Sequence, residues 1–403
     1  MMNLIKKCYY RSFQFILRLA SYFINFREPS IINKENAIFE IKNILKGNKK
    51  TNVFLITGNI IKTTTQFNNL VNDLKNNNVN VTIFSNVINN PTIENVEEGL
   101  KVFLANQCDS IIAVGGGSVI DFAKLVAARA TNKKPIEQMK GLLKVKHKPS
   151  FLIVVPTTAG TGSEVTIASV VTNDITHQKY AINDPKLIPL YAVLDPIFLL
   201  SAPNNITSTT GMDALTHAIE AYIGRSNTKK TKKEALIAIK LIFDNLYKSY
   251  ANPNDIEAKS NMQIASLKAG LAFTRAYVGY VHALAHALGA KYNISHGLAN
   301  AILLPEVLKK YRKHAYKPLS EISDYLELTK KDLSKKEKAE TLISAIEDLN
   351  KSMNINNVLK SIIKKEDINF LVNHAYKEAN PLYPVPYIWD KKDFKDLYLS
   401  LLK

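Results

Sequence analysis

Four short runs rich in β-branched and aliphatic residues, at 52–57, 79–84, 110–114 and 151–155, alternate with segments of helical periodicity over 64–76 and 92–106. Runs of this length bounded by turn signals read as strands. Strands separated by helices point to parallel pairing, because a parallel pair needs a crossover where an antiparallel pair can be joined by a tight turn. The pattern over 30–203 therefore predicts an α/β domain built on a doubly wound, Rossmann-like parallel sheet. After Pro203 the β-branched runs disappear and long helical patterns take over at 231–250, 255–273 and 278–290. The expected architecture is an α/β domain (30–203) and an all-α domain (204–403), preceded by a basic amphipathic segment (1–29).

The helical half concentrates the metal-binding side chains. Three of the eight histidines, His282, His286 and His296, fall within 15 residues. His282 and His286 are four apart in a helical run, so their imidazoles share one face. Gly289 reads as the end of that helix, beyond which His296 can fold back toward the same face. Upstream, Asp213 and His217 repeat the four-residue spacing. A single pair would be adequately explained as core or surface histidines. Two pairs and a further histidine in apolar helices instead predict a site for a divalent metal such as iron, zinc or manganese.

Two polar turns follow strands of the first domain. Gly115-Gly116-Gly117-Ser118 joins the 110–114 run to a helix that begins at Val119 and carries Asp121 and Lys124. Backbone N–H groups of such a turn can approach a phosphate at the positive end of a helix. The spacing is not GxGxxG, so the usual dinucleotide fingerprint is absent. Pro156-Thr157-Thr158-Ala159-Gly160-Thr161-Gly162-Ser163-Glu164 offers hydroxyls at another carboxyl edge, suited to an anion or a ribose. A dinucleotide on one wall of a cleft and a metal on the other is the expected arrangement, and hydride transfer is its natural chemistry.

Composition narrows the class. The formal charge of +18 comes from scattered lysines with no nucleic-acid motif beside them, so a solvated basic surface is expected and no specific nucleic acid. Cys8 and Cys108 are the only cysteines, which excludes a disulfide framework and fits a reducing, cytoplasmic setting. In Met1 to Phe26 the apolar run is broken by Arg11, Gln14 and Arg18, which fits neither a signal peptide nor a transmembrane span. An amphipathic helix packed on protein is expected there, in preference to a membrane surface.

The motifs Gly115-Gly116-Gly117-Ser118 with Asp121 and Lys124, Pro156 to Thr161, Gly211 to Glu220, and His282 through His296 to Pro305 resemble the iron-containing (group III) alcohol dehydrogenases. The resemblance runs from about residue 28 to the end. It implies Fe2+, or Zn2+, on Asp213, His217, His282 and His296, with His286 beside the metal as a proton relay. It implies NADP or NAD contacts at Gly58, Asn90, Gly115, Gly116, Gly117, Ser118, Asp121, Thr157, Thr158, Thr161 and Lys179, and a pocket-lining Phe273. The substrate it implies is a small primary alcohol, diol or aldehyde, and the assembly a homo-oligomer.

Two positions depart from the family pattern. NAD-using members carry Asp after Thr at the end of the first strand, where its carboxylate binds the ribose 2′-OH and repels a 2′-phosphate; here the pair is Thr57-Gly58. With Lys62 nearby, this predicts acceptance of NADP(H). Ala168 stands where some relatives carry a polar contact. Competing readings are a lyase resembling dehydroquinate synthase, which would want clustered basic residues where this chain has aliphatic ones, and a basic, surface-associated protein with no catalysis.

Overall fold

The computed structural model describes residues 4–24, 26–175 and 178–402; positions 1–3 and 25 of the N-terminal segment lie outside the described residues. The chain divides into two compact units, one of residues 25–203 with 253–263 and one of residues 1–24, 204–252 and 264–403.

The first unit contains β1 (Ser30–Asn33), β2 (Asn52–Thr57), β3 (Asn80–Phe84), β4 (Ser110–Gly115), β5 (Gly141–Leu142), β6 (Phe151–Pro156), β7 (Ala168–Thr172), β8 (Lys179–Asn183) and β9 (Tyr191–Leu194). Six of them form a sheet in the order β1-β9-β6-β4-β2-β3, and every neighbouring pair is parallel. The four strands read from sequence are its centre and one edge. The two-residue periodicity of a strand puts alternate side chains on opposite faces. Phe54, Ile56, Ile111, Ala113, Leu152 and Val154 accordingly join one buried cluster with the helices Ile93–Ala105 and Gly117–Thr131. Val53, Leu55, Ile112, Val114, Ile153 and Val155 join the other, with Ile41–Gly47 and Thr65–Asn76. A sheet buried on both faces explains why its strands read as unbroken apolar runs.

Strand order places β3 on one side of β2 and β4 on the other. The connections diverge there, leaving a crevice at the carboxyl ends of β2 and β4, the usual place for a ligand in an open parallel sheet. Three strands outside the main sheet, β5, β8 and β7, form a small second one in which β7 and β8 run antiparallel. Gln263 Nε2 donates to Pro156 O (3.2 Å) and Asp195 O (3.4 Å), which fastens 253–263 to this unit.

The second unit is helical. Asn204–Ile223 packs against Lys229–Ala251 and His296–Tyr311, and Tyr280–Tyr292 packs against Ile368–Ala379 and His296–Tyr311. Tyr280, Trp389 and Phe394 form a buried aromatic knot, with ring centroids 4.8 Å apart for Tyr280–Trp389 and 4.9 Å for Tyr280–Phe394. The helix Leu4–Ser21 belongs to this unit and lies on the C-terminal segment through polar contacts. Gln14 Nε2 donates to Pro381 O and Tyr383 O, Arg11 donates to Val385 O and Pro386 O, and Tyr10 Oη meets Tyr376 Oη.

One expected boundary is corrected. The helix bearing His282 does not end at Gly289 but continues to Tyr292, where Asn293 turns into the left-handed region (φ 54°) and donates its N–H to Gly289 O. Asparagine tolerates that conformation almost as well as glycine, so it supplies the stop.

The aromatic ring of Phe122 is fully buried and stacks on Phe84 at 5.3 Å. Phe122→Ala should destabilise the sheet unit by about 3–5 kcal/mol through lost contacts and an unfilled cavity, visible as a lowered urea midpoint. An unchanged midpoint would show that the two helices on that face pack without it.

Candidate active site

Three helices of the second unit converge on one polar cluster in an apolar interior. Asn204–Ile223 is buried from Gly211 to Ile223 and presents Asp213, His217 and Glu220 at i, i+4 and i+7, one face of the helix. Tyr280–Tyr292 brings His282 and His286, and His296–Tyr311 brings His296 at its first residue with Asn300 one turn on. Gly297 permits that approach, since a Cβ there would lie 2.4 Å from Thr209 O.

Asp213, His217, His282 and His296 each offer one ligand atom, and these atoms all lie within 4.8 Å of one another. Asp213 Oδ1 is 3.4 Å from His296 Nε2 and 3.8 Å from His282 Nε2, and Asp213 Oδ2 is 4.0 Å from His217 Nδ1. Such spacings suit atoms gathered at roughly 2 Å around one ion. Asp213, His217 and His282 are buried, and His282 Nε2 is a buried ring nitrogen with no hydrogen-bond partner. A lone pair left so would cost about 1–3 kcal/mol, which ligation would offset. One carboxylate and three imidazoles form a donor set that fits Fe2+ or Zn2+.

Three residues that the spacing argument had not singled out support this set and its neighbour His286. Glu220 accepts Gly279 N–H and Val281 N–H, both at 2.7 Å, and its Oε2 lies 2.6 Å from His282 Nδ1. The carboxylate thus caps the Tyr280–Tyr292 helix and fixes the His282 proton on Nδ1, which turns Nε2 toward Asp213. Gly279 makes the contact sterically feasible, because a Cβ there would meet Glu220 Oε1 at 2.7 Å. Burial, then the charges of His217, His296 and His286, push His282 well below the usual imidazole range, so it stays neutral as a ligand must be. Burial raises the Glu220 carboxyl, and the N–H donors of Gly279 and Val281 pull it back toward the charged form. Asn300 Nδ2 donates to Asp213 Oδ1 (2.6 Å) and lies 3.1 Å from His296 Nε2. Glu378 Oε1 lies 2.6 Å from His286 Nδ1 and accepts Tyr383 Oη at 2.8 Å.

His286 stands next to the cluster rather than in it, its ring stacked on His296 at 4.9 Å and half exposed. Phe273 stacks on His217 at 4.1 Å, where it holds that ring's plane. The signals for the supporting residues were present in sequence: Glu220 extends the Asp213–His217 face by one turn, and Asn300 repeats the four-residue spacing from His296.

In the first unit the two polar turns meet. The N–H of Thr157 donates to Gly115 O, a Cβ on Gly116 would lie 3.3 Å from Thr158 Oγ1, and one on Gly117 would lie 2.8 Å from Thr161 Cγ2. The helix begins at Gly117, two residues before the sequence reading placed it, so Ser118 sits in its first turn where N–H groups lack intrahelical partners. Asp121 is already engaged: its carboxylate accepts Ser163 Oγ at 2.7 Å and Val170 N–H at 3.0 Å, so it braces the 161–164 turn against the helix. Lys124 is fully buried and donates to Thr166 O, Thr166 Oγ1 and Ala168 O. Burial pushes Lys124 down to about 8 and the nearby Glu164 up to about 7. The Ala168 carbonyl accepts Lys124 Nζ at 2.8 Å, a contact internal to the fold. Asn90 and Lys179 come together, Lys179 Nζ donating to Asn90 Oδ1 at 2.7 Å. Gly58 follows β2 at the crevice edge.

Residues 29–196 match the family described as iron-containing alcohol dehydrogenase, and residues 207–402 match the C-terminal part of the Fe-containing alcohol dehydrogenase family. The chain is 38% identical over 303 residues to a 1,3-propanediol dehydrogenase of Klebsiella pneumoniae, covering 75% of this chain and 78% of that one. It is 32% identical over 355 residues to an NAD-dependent methanol dehydrogenase of Bacillus methanolicus, covering 88% and 93%. A solved 1,3-propanediol oxidoreductase superposes with a TM-score of 0.90 at 32% identity, covering 94% of this chain and 99% of that one. The chain belongs to the iron-containing alcohol dehydrogenase family, and it is an oxidoreductase of that type.

Proposed function

We propose that this enzyme interconverts small primary alcohols or diols and their aldehydes, with Fe2+ or Zn2+ on Asp213, His217, His282 and His296 and with NADP(H) or NAD(H) on the turns that follow β2, β4 and β6. The observation that carries the reading is the four-ligand cluster with its buried His282 Nε2. When bound, the metal supplies Lewis acidity toward the alcohol or carbonyl oxygen and the nicotinamide supplies or accepts the hydride. The chain's own part is positional and protonic. Glu220 and Asn300 fix the ligand atoms, so no reorganisation is needed as charge develops on oxygen. His286, with Nδ1 facing Glu378, keeps Nε2 free to take the alcohol proton during oxidation and to return it during reduction. Tyr383 steadies the same carboxylate.

Cofactor choice rests on Gly58. Nothing lies within 4 Å of where its Cβ would be, and its φ of −95° is open to any residue, so the glycine leaves space rather than serving the backbone. Lys62 ends the short helix after it, with Nζ 3.2 Å from Ser85 Oγ. That space and positive charge support acceptance of a ribose 2′-phosphate.

Replacing His282 by Ala should abolish both bound metal and activity, checked by metal analysis of anaerobically purified protein and an NAD(P)H oxidation screen over short aldehydes. An active, metal-free variant would break the reading. Glu220→Gln should weaken metal binding by about 10–100-fold in a chelator competition, whereas unchanged affinity would reduce Glu220 to a helix cap. His286→Ala should retain the metal and lower kcat by roughly 10²–10⁴-fold; loss of metal instead would make His286 a ligand. Gly58→Asp should lower kcat/KM for NADPH at least about tenfold relative to NADH by charge repulsion, and a wild-type enzyme that strongly prefers NADH would refute the cofactor assignment.

A further inference from the structure

We propose that the N-terminal helix Leu4–Ser21 attaches the enzyme to an anionic membrane surface, with acidic lipid headgroups in the basic cavity beside it and its outward apolar face in the acyl layer. The helix is turned the unusual way round. Its inward face is polar and bonded to the C-terminal segment through Tyr10, Arg11 and Gln14. Its outward face carries Leu4 (74% exposed), Ile5 (74%), Tyr9 (57%), Phe15 (59%), Ile16 (63%) and Leu19 (47%). At about 100° per residue these six positions fall in one stripe roughly 140° wide. Phe23, just past the helix end, is 91% exposed. An apolar face of this extent in water marks a surface that something covers.

Charge identifies what covers it. The helix carries Lys6, Lys7, Arg11 and Arg18 and no acidic residue. Beside it opens a cavity of about 600 Å³, lined by Lys7, Arg11, Arg225, His314 and Tyr387 among others and by no carboxylate. Positive charge is crowded there: Arg11 is pushed down to about 10 by burial and the charge of Arg225, and burial with the charges of Lys313 and Lys7 lowers His314 below the usual imidazole range. An anion would relieve that repulsion. A second copy of the chain apposed about a two-fold axis would bring these basic groups together with no acidic partner from either helix. A bilayer with acidic headgroups offers both the anion for the cavity and the apolar phase for the outward stripe. No described helix is long and apolar enough to cross a membrane, so the attachment is to the surface. Both family matches begin after this helix, the first at residue 29.

The test is co-sedimentation of the full-length enzyme with vesicles of phosphatidylcholine alone or with about one-third phosphatidylglycerol, an acidic lipid. Binding to the acidic vesicles only, reversed by high salt, is expected. The exposed double variant Ile16→Glu/Leu19→Glu and the cavity variant Lys7→Glu/Arg225→Glu should each lower binding by about fivefold or more, with aldehyde reduction unchanged. Equal binding to both vesicle types, no binding, or binding indifferent to either variant would overturn the proposal. So would light scattering in which Ile16→Glu/Leu19→Glu splits an assembly into smaller ones, which would make the face a contact between copies. Inorganic phosphate bound in the cavity without vesicle binding would likewise refute it.

Discussion

The carboxylate of Glu220 is the contact on which the helical unit turns. It receives the first free N–H groups of one helix, accepts the Nδ1–H of His282, and itself rises from the helix that bears Asp213 and His217. A buried carboxylate is costly to desolvate, and three donors are what make this one tolerable. The same three bonds set the distance between two helices and aim one ring nitrogen at the cluster. Helix capping, packing and ligand orientation are therefore one arrangement, and none can be altered without the others.

Much of this was legible in the sequence. The central strands and the switch at Pro203 follow from period and composition, because a doubly covered sheet must be built from continuous apolar runs. The ligand candidates follow from four-residue spacings in apolar helices, a pattern that sequence reports directly. What escaped was the role of residues whose partners are remote in the chain. Glu220 is bonded to residues 59–62 positions away, and Glu378 meets His286 across 92. β1 and β9, of four residues each, and the two-residue β5 are too short to show a period. Gly289 reads as a helix end because local propensity carries no sign that Asn293 takes the left-handed turn.

Buried charge plays the corresponding part in the sheet unit. Asp121 and Lys124 are one helical turn apart, and both direct their polar atoms to the backbone leading into β7. The residues next to the glycine turn are thus committed to holding the second turn against the first. Each Asp121 oxygen accepts one hydrogen bond within the fold.

The underside of the N-terminal helix has a geometric consequence. Apolar side chains would let a helix slide or roll on its seat with little change in energy, because dispersion has no direction. Amide and guanidinium groups aimed at the carbonyls of Pro381, Tyr383, Val385 and Pro386 allow no such freedom. Inserting or removing a single residue between Arg11 and Gln14 would rotate everything beyond by about 100° and swing Gln14 off its two acceptors. The segment is indexed to its seat like a key in a lock, and the angle at which it faces outward is inherited from the C-terminal backbone beneath it.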